Sequence, residues 1–240
     1  MRFGVEADYW VAPLLRYYEK YKTSELLDFL YLLDRKFSSD WIIGFSPTRR
    51  IQNTNEIIKE IETATDQKFL FASPVFKVET QELLRVLSGG IYGRPYCRYI
   101  LLKIDLAYHG HNTKFSPPRA ISIEHILPQT PDSDSQWVKD FTEQDRDKWT
   151  DRLGNLILLS RRKNPTQGRI DYVGKDGKEG KKERYFRKNV ELFSNSIRIL
   201  STFNSWNLDD LKKNHKETLI KSLLAYGITM SDDDLKKAME

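Results

Sequence analysis

Polar side chains that are suited to chemistry rather than packing stand at three points between Ile121 and Asn164. They are the adjacent pair Glu124 and His125, then Asn155, and then Asn164 itself. An imidazole can exchange a proton near neutral pH, because its ordinary pKa is about 6.5. Carboxylate and amide oxygens are the ligands that hard divalent cations prefer. These residue types are therefore compatible with proton transfer beside a bound cation.

The first pair lies at the end of a predicted strand. Ile121, Ile123 and Leu127 occur at alternate positions with polar residues, as in a half-buried strand, and Pro128 stops the strand three residues after His125. The pattern therefore places His125 at a strand end, where side chains meet solvent and substrate.

A second strand is predicted to return beside the first. The apolar run 156–159 follows Gly154 and Asn155, and Ser160 can cap a helix that contains residues 161–164. The predicted local order is strand, long loop, strand, helix.

The spacing of these residues resembles the HNH nuclease motif. That motif has an acidic residue beside His, Pro three residues on, an Asn-Leu pair, and His or Asn nine residues after that Asn; here these are Glu124, His125, Pro128, Asn155 and Asn164. In detail, EHILPQ followed by LGNL is similar to the C-terminal domain of GmrSD-type restriction factors. The resemblance implies a ββα fold that grips one divalent metal. It also implies a metal-dependent DNA endonuclease or nickase, the effector part of a phage-restriction system.

The resemblance also implies a role for each motif residue. His125 is expected to be the general base, and Glu124 and Asn164 to be the metal ligands. Asn155 is expected to complete the catalytic set by orienting the histidine loop. Because Asn164 stands where many HNH enzymes have His, its neutral, hard oxygen favours Mg²⁺ or Mn²⁺ over Zn²⁺ or Ni²⁺.

Basic residues near the motif are candidates for DNA contact. Arg161 and Arg162 belong to the predicted helix that bears Asn164. A Gly-rich basic segment, residues 171–188, is predicted to be a mobile loop that cannot bury a core. It is either a solvated hairpin tip or an arm that contacts phosphates. The DNA-binding candidates are Arg161, Arg162, Lys175, Lys181 and Lys182.

The rest of the chain reads mainly as helix, which predicts a predominantly α-helical α+β fold: a helical scaffold carrying a ββα-metal HNH core. We assign residues 1–95 to the scaffold and 96–240 to the HNH domain with its C-terminal helices; the motif core is 120–170. Trp137, Phe141 and Trp149 are predicted to be core residues. His215, on the charged face of a long helix, is predicted to be exposed.

Composition sets bounds on partners and compartment. The chain has 39 Lys and Arg against 34 Asp and Glu, a net charge of +5, which permits a polyanionic partner without demanding one. Cys97 is the single cysteine, so no intramolecular disulfide can form and a reducing cytoplasm is expected. No apolar run is long enough to span a bilayer.

Two other functions are compatible with the same residues. In one, a non-cutting HNH-like module binds DNA and docks a partner nucleotide-hydrolysing domain. In the other, a helical interaction module carries the motif by coincidence. The chain has no Gly-x-x-x-x-Gly-Lys-Ser/Thr loop, so the nucleotide-hydrolysing half of the resembled family is expected in an absent N-terminal domain or partner subunit.

Overall fold

The computed structural model describes residues 7–109, 121–160, 169–187 and 193–240. Contacts between Cα atoms divide the chain into two compact units, Met1–Val86 and Leu87–Glu240. The sequence predicts a boundary at residues 95 and 96, and separate domains with that boundary remain a prediction.

The regular secondary structure in the described residues of the first unit is all helical, because the apolar side chains of this unit recur at helical spacing. Its aromatic core includes a stacked pair, Tyr17 and Phe29, with ring centroids 3.9 Å apart. Both side chains are fully buried. The helices are α1 (Val11–Tyr21), α2 (Leu26–Ile42), α3 (Pro47–Thr63), α4 (Gln67–Phe71), a 3-10 turn (Pro74–Phe76) and α5 (Thr80–Ser88), whose last residues belong to the second unit.

Helix starts in this unit differ from those that the sequence indicates. Thr23 and Ser24 favour a cap for α2, but the residue before α2 is Glu25, whose φ is 47°. Asn53 and Thr54 favour a start for α3, which instead begins at Pro47 after the N-cap Ser46. Ser46 accepts a hydrogen bond from a backbone N–H, and proline at the first helical position needs no such partner. The earlier start is therefore the better capped one.

The second unit combines helices with a two-stranded sheet. Strands β1 (Ile121–His125) and β2 (Leu156–Ser160) pair antiparallel, with His125 opposite Leu156 at one end and Ile121 opposite Ser160 at the other. Both predicted strands and the α+β class are confirmed. The helix predicted after Ser160 lies outside the described residues. The helices are α6 (Cys97–Tyr108), α7 (Gln136–Asp140), α8 (Glu143–Trp149), a 3-10 turn (Leu153–Asn155), α9 (Lys181–Arg187), α10 (Ser194–Thr202), α11 (Leu208–Ala225) and α12 (Asp232–Met239).

The core of the second unit packs one face of this sheet. Ile157 and Leu159 of β2 contact a cluster of aromatic side chains, so the inward positions of the strand are covered. Trp137, Phe141 and Trp149 belong to this cluster and are buried, as predicted. The long loop between the strands is therefore folded onto the core by its aromatic residues.

The Gly-rich segment, in the part that the structure describes, forms a tight turn that leads into α9. Gly177, at its tip, has a φ of +76°, which favours glycine. A Cβ on Gly180 would lie 2.4 Å from the Val173 carbonyl carbon, so the two arms approach too closely for a side chain. Tyr172 is fully buried, and its hydroxyl donates to the Phe203 carbonyl at 3.2 Å. The prediction that this segment cannot bury a core is wrong, because Tyr172 supplies an anchor that composition does not reveal. Its mobility remains a prediction.

None of the helices in the described ranges has both the length and the apolar composition needed to cross a membrane.

Candidate active site

His125, the last residue of β1, lies in a small polar cluster. Its Nε2 is 3.0 Å from the Asp151 Oδ1, and the Gln129 amide donates to the same oxygen at 3.1 Å. The edge-on ring of Tyr92 lies 4.2 Å from the imidazole, centroid to centroid. Only 8% of His125 is exposed. The histidine is thus at a strand end, as predicted, but it is shielded rather than open to solvent.

This environment favours the neutral imidazole. Burial lowers the pKa of His125 below its ordinary value, and the hydrogen bond and charge of Asp151 raise it by less. A neutral histidine can accept a proton at physiological pH. The site therefore contains a candidate base in the correct protonation state.

Asp151 is a residue that the sequence analysis missed. It lies 26 residues from His125 along the chain and is brought next to it by the loop between the strands. Its side chain is 46% exposed. The chain has 34 acidic residues, and no local pattern distinguishes Asp151 from the others.

Glu124 has a different set of neighbours from those of His125. Successive side chains of a strand point to opposite faces, which separates the two. The Glu124 Oε1 lies 3.7 Å from the Lys181 ammonium, and its side chain is 29% exposed. A partly exposed carboxylate of this kind can still bind a cation from solvent.

Lys181 is fully buried at the start of α9. Its ammonium donates to the His125 carbonyl at 2.7 Å and to the Ile126 carbonyl at 2.8 Å. Burial lowers its pKa to about 8, although the Glu124 carboxylate opposes this shift. The sequence assigns Lys181 to DNA contact. That assignment is corrected, because an ammonium without exposure that is bonded to backbone carbonyls does not reach a phosphate.

Asn155 connects the two ends of the long loop. Its side chain accepts a hydrogen bond from Leu127 N at 2.8 Å and donates to the carbonyls of Leu127 and Thr150, both at 2.8 Å. The residue is fully buried. These bonds suit the predicted orienting role, since they fix the turn that follows His125. A requirement for Asn155 in catalysis remains a prediction.

Helix α11 holds the residue before Asn155. The Gly154 N–H donates to His215 Nδ1 at 3.1 Å, and the Asn214 amide donates to the Gly154 carbonyl at 2.6 Å. A Cβ on Gly154 would lie 2.4 Å from the His215 Cα. His215 is fully buried, so the prediction that it is exposed is wrong. His215 faces the interior although charged residues lie near it along the α11 sequence. The sequence gives no signal for its hydrogen-bond partner, which is a backbone amide.

The remaining predicted site residues divide into two groups. Asn164, Arg161 and Arg162 lie outside the described residues. Lys175 is exposed, whereas the Lys182 ammonium donates to the Phe203 carbonyl at 2.9 Å and to Asn204 Oδ1 at 2.8 Å. Contact of Lys175 or Lys182 with DNA remains a prediction.

The expected metal ligands are only partly within the described residues. Among the described residues there is no group of three or more His, Cys, Asp or Glu that could hold a metal. Mg²⁺, however, is commonly bound by one or two carboxylates, with water and substrate phosphate completing its shell. The Glu124 carboxylate is a ligand of that type, and Asn164, the second expected ligand, lies outside the described residues.

A cleft beside the cluster has room for a substrate. Its volume is about 610 Å³, and both Gln129 and Asp151 line it. The remaining lining includes Thr130, Arg146 and Asp147. The polar cluster that holds His125 therefore forms part of the wall of an open cavity.

Comparison with known families identifies the family of this chain. The family model described as GmrSD restriction endonucleases, C-terminal domain, matches residues 84–221, more than half of the chain. Searches of the curated proteins and of the solved structures returned no significant match. The matched range contains both strands, the His125 cluster, Asn155 and most of α11. The chain therefore belongs to the GmrSD restriction endonucleases and carries their C-terminal domain.

Proposed function

We propose that this restriction endonuclease domain is an HNH-type, metal-dependent nuclease that cuts one DNA strand at a time. The observation that supports this most directly is the shielded, neutral His125 at the end of β1, bonded to Asp151 on the wall of an open cleft. We further propose that it acts in the cytoplasm as the effector of a phage-restriction system, together with a nucleotide-hydrolysing domain or subunit.

His125 is the general base of the proposed reaction. A carboxylate only accepts hydrogen bonds, so Asp151 fixes the proton of the imidazole on Nε2 and leaves the lone pair on Nδ1. Nδ1 takes a proton from water while the water oxygen bonds to the phosphorus. The bond from phosphorus to the 3′ oxygen breaks, leaving a 5′ phosphate and, after protonation, a 3′ hydroxyl.

Glu124 and Asn164 are the proposed ligands of one Mg²⁺ or Mn²⁺ ion. When bound, such an ion stabilises negative charge on phosphate and leaving oxygens as a Lewis acid. Asn155 and its bonds to Leu127 hold the turn after His125, so that the base and the ligand stay in register. One metal site acts on one strand, which makes a nick the expected product.

The proposed DNA contacts are Arg161, Arg162, Lys175 and Lys182. They flank the site along the chain, and each contact with a phosphate would release a condensed counterion. Lys181 is excluded from this set by its burial.

The decisive test is incubation of supercoiled plasmid with the protein in Mg²⁺, in Mn²⁺ or in EDTA. We expect open-circular DNA in either metal and none in EDTA. His125→Ala should lower the rate roughly 100- to 10,000-fold, the usual contribution of a general base. Asp151→Asn should lower it roughly 10- to 100-fold, as expected for an orienting partner.

His109→Ala is the matched control, because His109 follows α6 and its Nδ1 contacts Ser194 Oγ at 3.3 Å. It should cut like the parent. If the parent cuts in neither metal, or if His125→Ala cuts as fast as the parent, the proposal fails. DNA binding without cutting would then favour the docking module.

A further inference from the structure

The turn that follows β1 is held almost entirely by two side chains. The Lys181 ammonium binds the carbonyls of His125 and Ile126, and the Asn155 amide binds the N–H and carbonyl of Leu127. Four backbone polar groups of residues 125–127 are thus paired with side chains, and the Ile126 N–H that lies between them donates to the Asn155 backbone carbonyl at 3.0 Å. Asn155 is part of the HNH motif, but Lys181 lies outside it.

A buried ammonium such as that of Lys181 is an energetically costly hydrogen-bond donor for two backbone carbonyls. Removing an ammonium from water carries a large desolvation penalty, and buried ion pairs are often replaced by apolar residues without loss of stability. Here the side chain has no exposure and lies 5.6 Å from the Trp137 ring centroid, in surroundings where an apolar residue would pack. Packing alone therefore does not account for a lysine at this position.

The contacts of Lys181 converge on the proposed catalytic residues. It binds the backbone of the base, His125, and its ammonium lies 3.7 Å from the carboxylate of the proposed metal ligand Glu124. This distance is long for a hydrogen bond but within the range of an ion pair. The Lys181 side chain thus contacts both the backbone of the proposed base and the carboxylate of the proposed metal ligand.

The backbone from which the Lys181 side chain extends is also held in place. The Lys181 N–H donates to the Asp171 carbonyl at 2.9 Å, and Asp171 Oδ1 in turn accepts from the Gln136 N–H at 3.0 Å. The Gly174 and Gly180 backbones meet so closely that a Cβ on Gly174 would lie 3.0 Å from Gly180 N. The start of α9 is therefore anchored, and Lys181 cannot shift without moving its neighbours.

We propose that Lys181 is a positioning residue for DNA cleavage, which fixes the end of β1 and with it the backbone of His125 and the carboxylate of Glu124. This inference rests on the proposed nuclease function. It predicts a loss of rate without a loss of DNA affinity, whereas a lysine that touched DNA would lose affinity.

The test compares the parent with Lys181→Met and Lys181→Gln in the full chain. Methionine keeps the length and loses the charge and donors, whereas glutamine keeps a neutral donor. Three quantities are measured: the single-turnover nicking rate at saturating plasmid in Mg²⁺, the DNA Kd in EDTA by fluorescence anisotropy, and the melting temperature by circular dichroism. Rates are taken well below each melting temperature.

We expect Lys181→Met to lower the saturating rate roughly 10- to 100-fold, the usual cost of removing a partner that orients a site, with the Kd unchanged. Lys181→Gln should lie between Lys181→Met and the parent. Lys216→Met is the matched control: it removes a lysine of the same unit, paired with Asp232 at 2.9 Å, and should keep the parental rate.

Each other outcome has a distinct meaning. If the parent does not nick, the proposed function fails, whatever Lys181 does. If the parent nicks and a folded Lys181 variant nicks equally fast, the positioning role is overturned. A weaker Kd with an unchanged saturating rate would overturn it in favour of DNA contact. Loss of folding in both variants would overturn it in favour of a role in the stability of the whole unit.

Discussion

The buried imidazole of His215 couples the stability of the second unit to pH. Burial and the nearby Arg152 charge lower its pKa to about 3, and the neutral ring accepts the Gly154 N–H through Nδ1. The unfolded chain takes up a proton below about pH 6.5, but the folded chain does not do so until about pH 3. Stability from this residue is therefore complete above pH 6.5 and is lost as the pH falls between those values.

His215→Asn tests this coupling, because an asparagine oxygen can replace Nδ1 as the acceptor but does not titrate. Urea unfolding of parent and variant is measured from pH 7.5 to pH 4.5. Below about pH 6.5 the parent should lose about 1.4 kcal/mol per pH unit more than the variant. Parallel pH profiles would show that His215 does not carry the effect.

Close packing of α11 against the 3-10 turn Leu153–Asn155 connects the outer helices to the proposed active site. Asn214 and His215 of α11 bind both polar groups of the Gly154 backbone, and Asn155 then binds the turn beyond β1. The contact depends on the missing side chain of Gly154. A helix far along the chain thereby takes part in positioning His125.

Gly154→Ala should therefore destabilise the protein, because its Cβ would lie 2.4 Å from the His215 Cα and 2.6 Å from its nitrogen. Both are backbone atoms, so relief requires a shift of α11. We expect a loss of about 1–3 kcal/mol or more in the free energy of unfolding, the usual cost of overpacking, measured by urea denaturation.

Gly90→Ala is the matched control for this substitution. The nearest atom that its Cβ would meet is the Asp151 Cβ at 3.6 Å, an ordinary van der Waals contact. It should change stability little. Equal stabilities of the two variants would contradict the close approach of α11.

The charge of the whole molecule favours DNA without specifying how it is bound. A net charge of +5 attracts a polyanion, but the position of each basic residue decides whether it touches a phosphate. Each phosphate contact contributes about 0.9 to the slope of log K against log salt. The salt dependence of DNA binding therefore measures the number of phosphate contacts, which net charge alone does not give.

Lys175→Ala should reduce that slope by about one, because Lys175 is an exposed residue of the basic turn and a proposed phosphate contact. DNA affinity is measured in EDTA over a series of salt concentrations. Lys59→Ala, an exposed lysine on α3 in the first unit, makes the same change in net charge and should leave the slope unchanged. Equal slopes for the two variants would assign the effect of Lys175 to net charge alone.

The features that the sequence alone determined are those encoded locally. Alternation of apolar residues predicts β1, a short apolar run predicts β2, and helical spacing predicts most helices. The register of Glu124, His125 and Asn155 leads to the family that the comparison confirms. Each depends on residues near one another in the chain, or on a spacing that a family shares. Local sequence does not determine where α3 starts, because several residues, Ser46 among them, are able to cap a helix.

Only the tertiary structure decided which distant residues complete the site. Asp151 meets His125 across 26 residues, Lys181 meets its carbonyl across 56, and His215 meets Gly154 across 61. A lysine or histidine that is buried looks the same in sequence as one in solvent. The difference arises because burial and hydrogen-bond partners are set by the packing of whole elements, which no local pattern records.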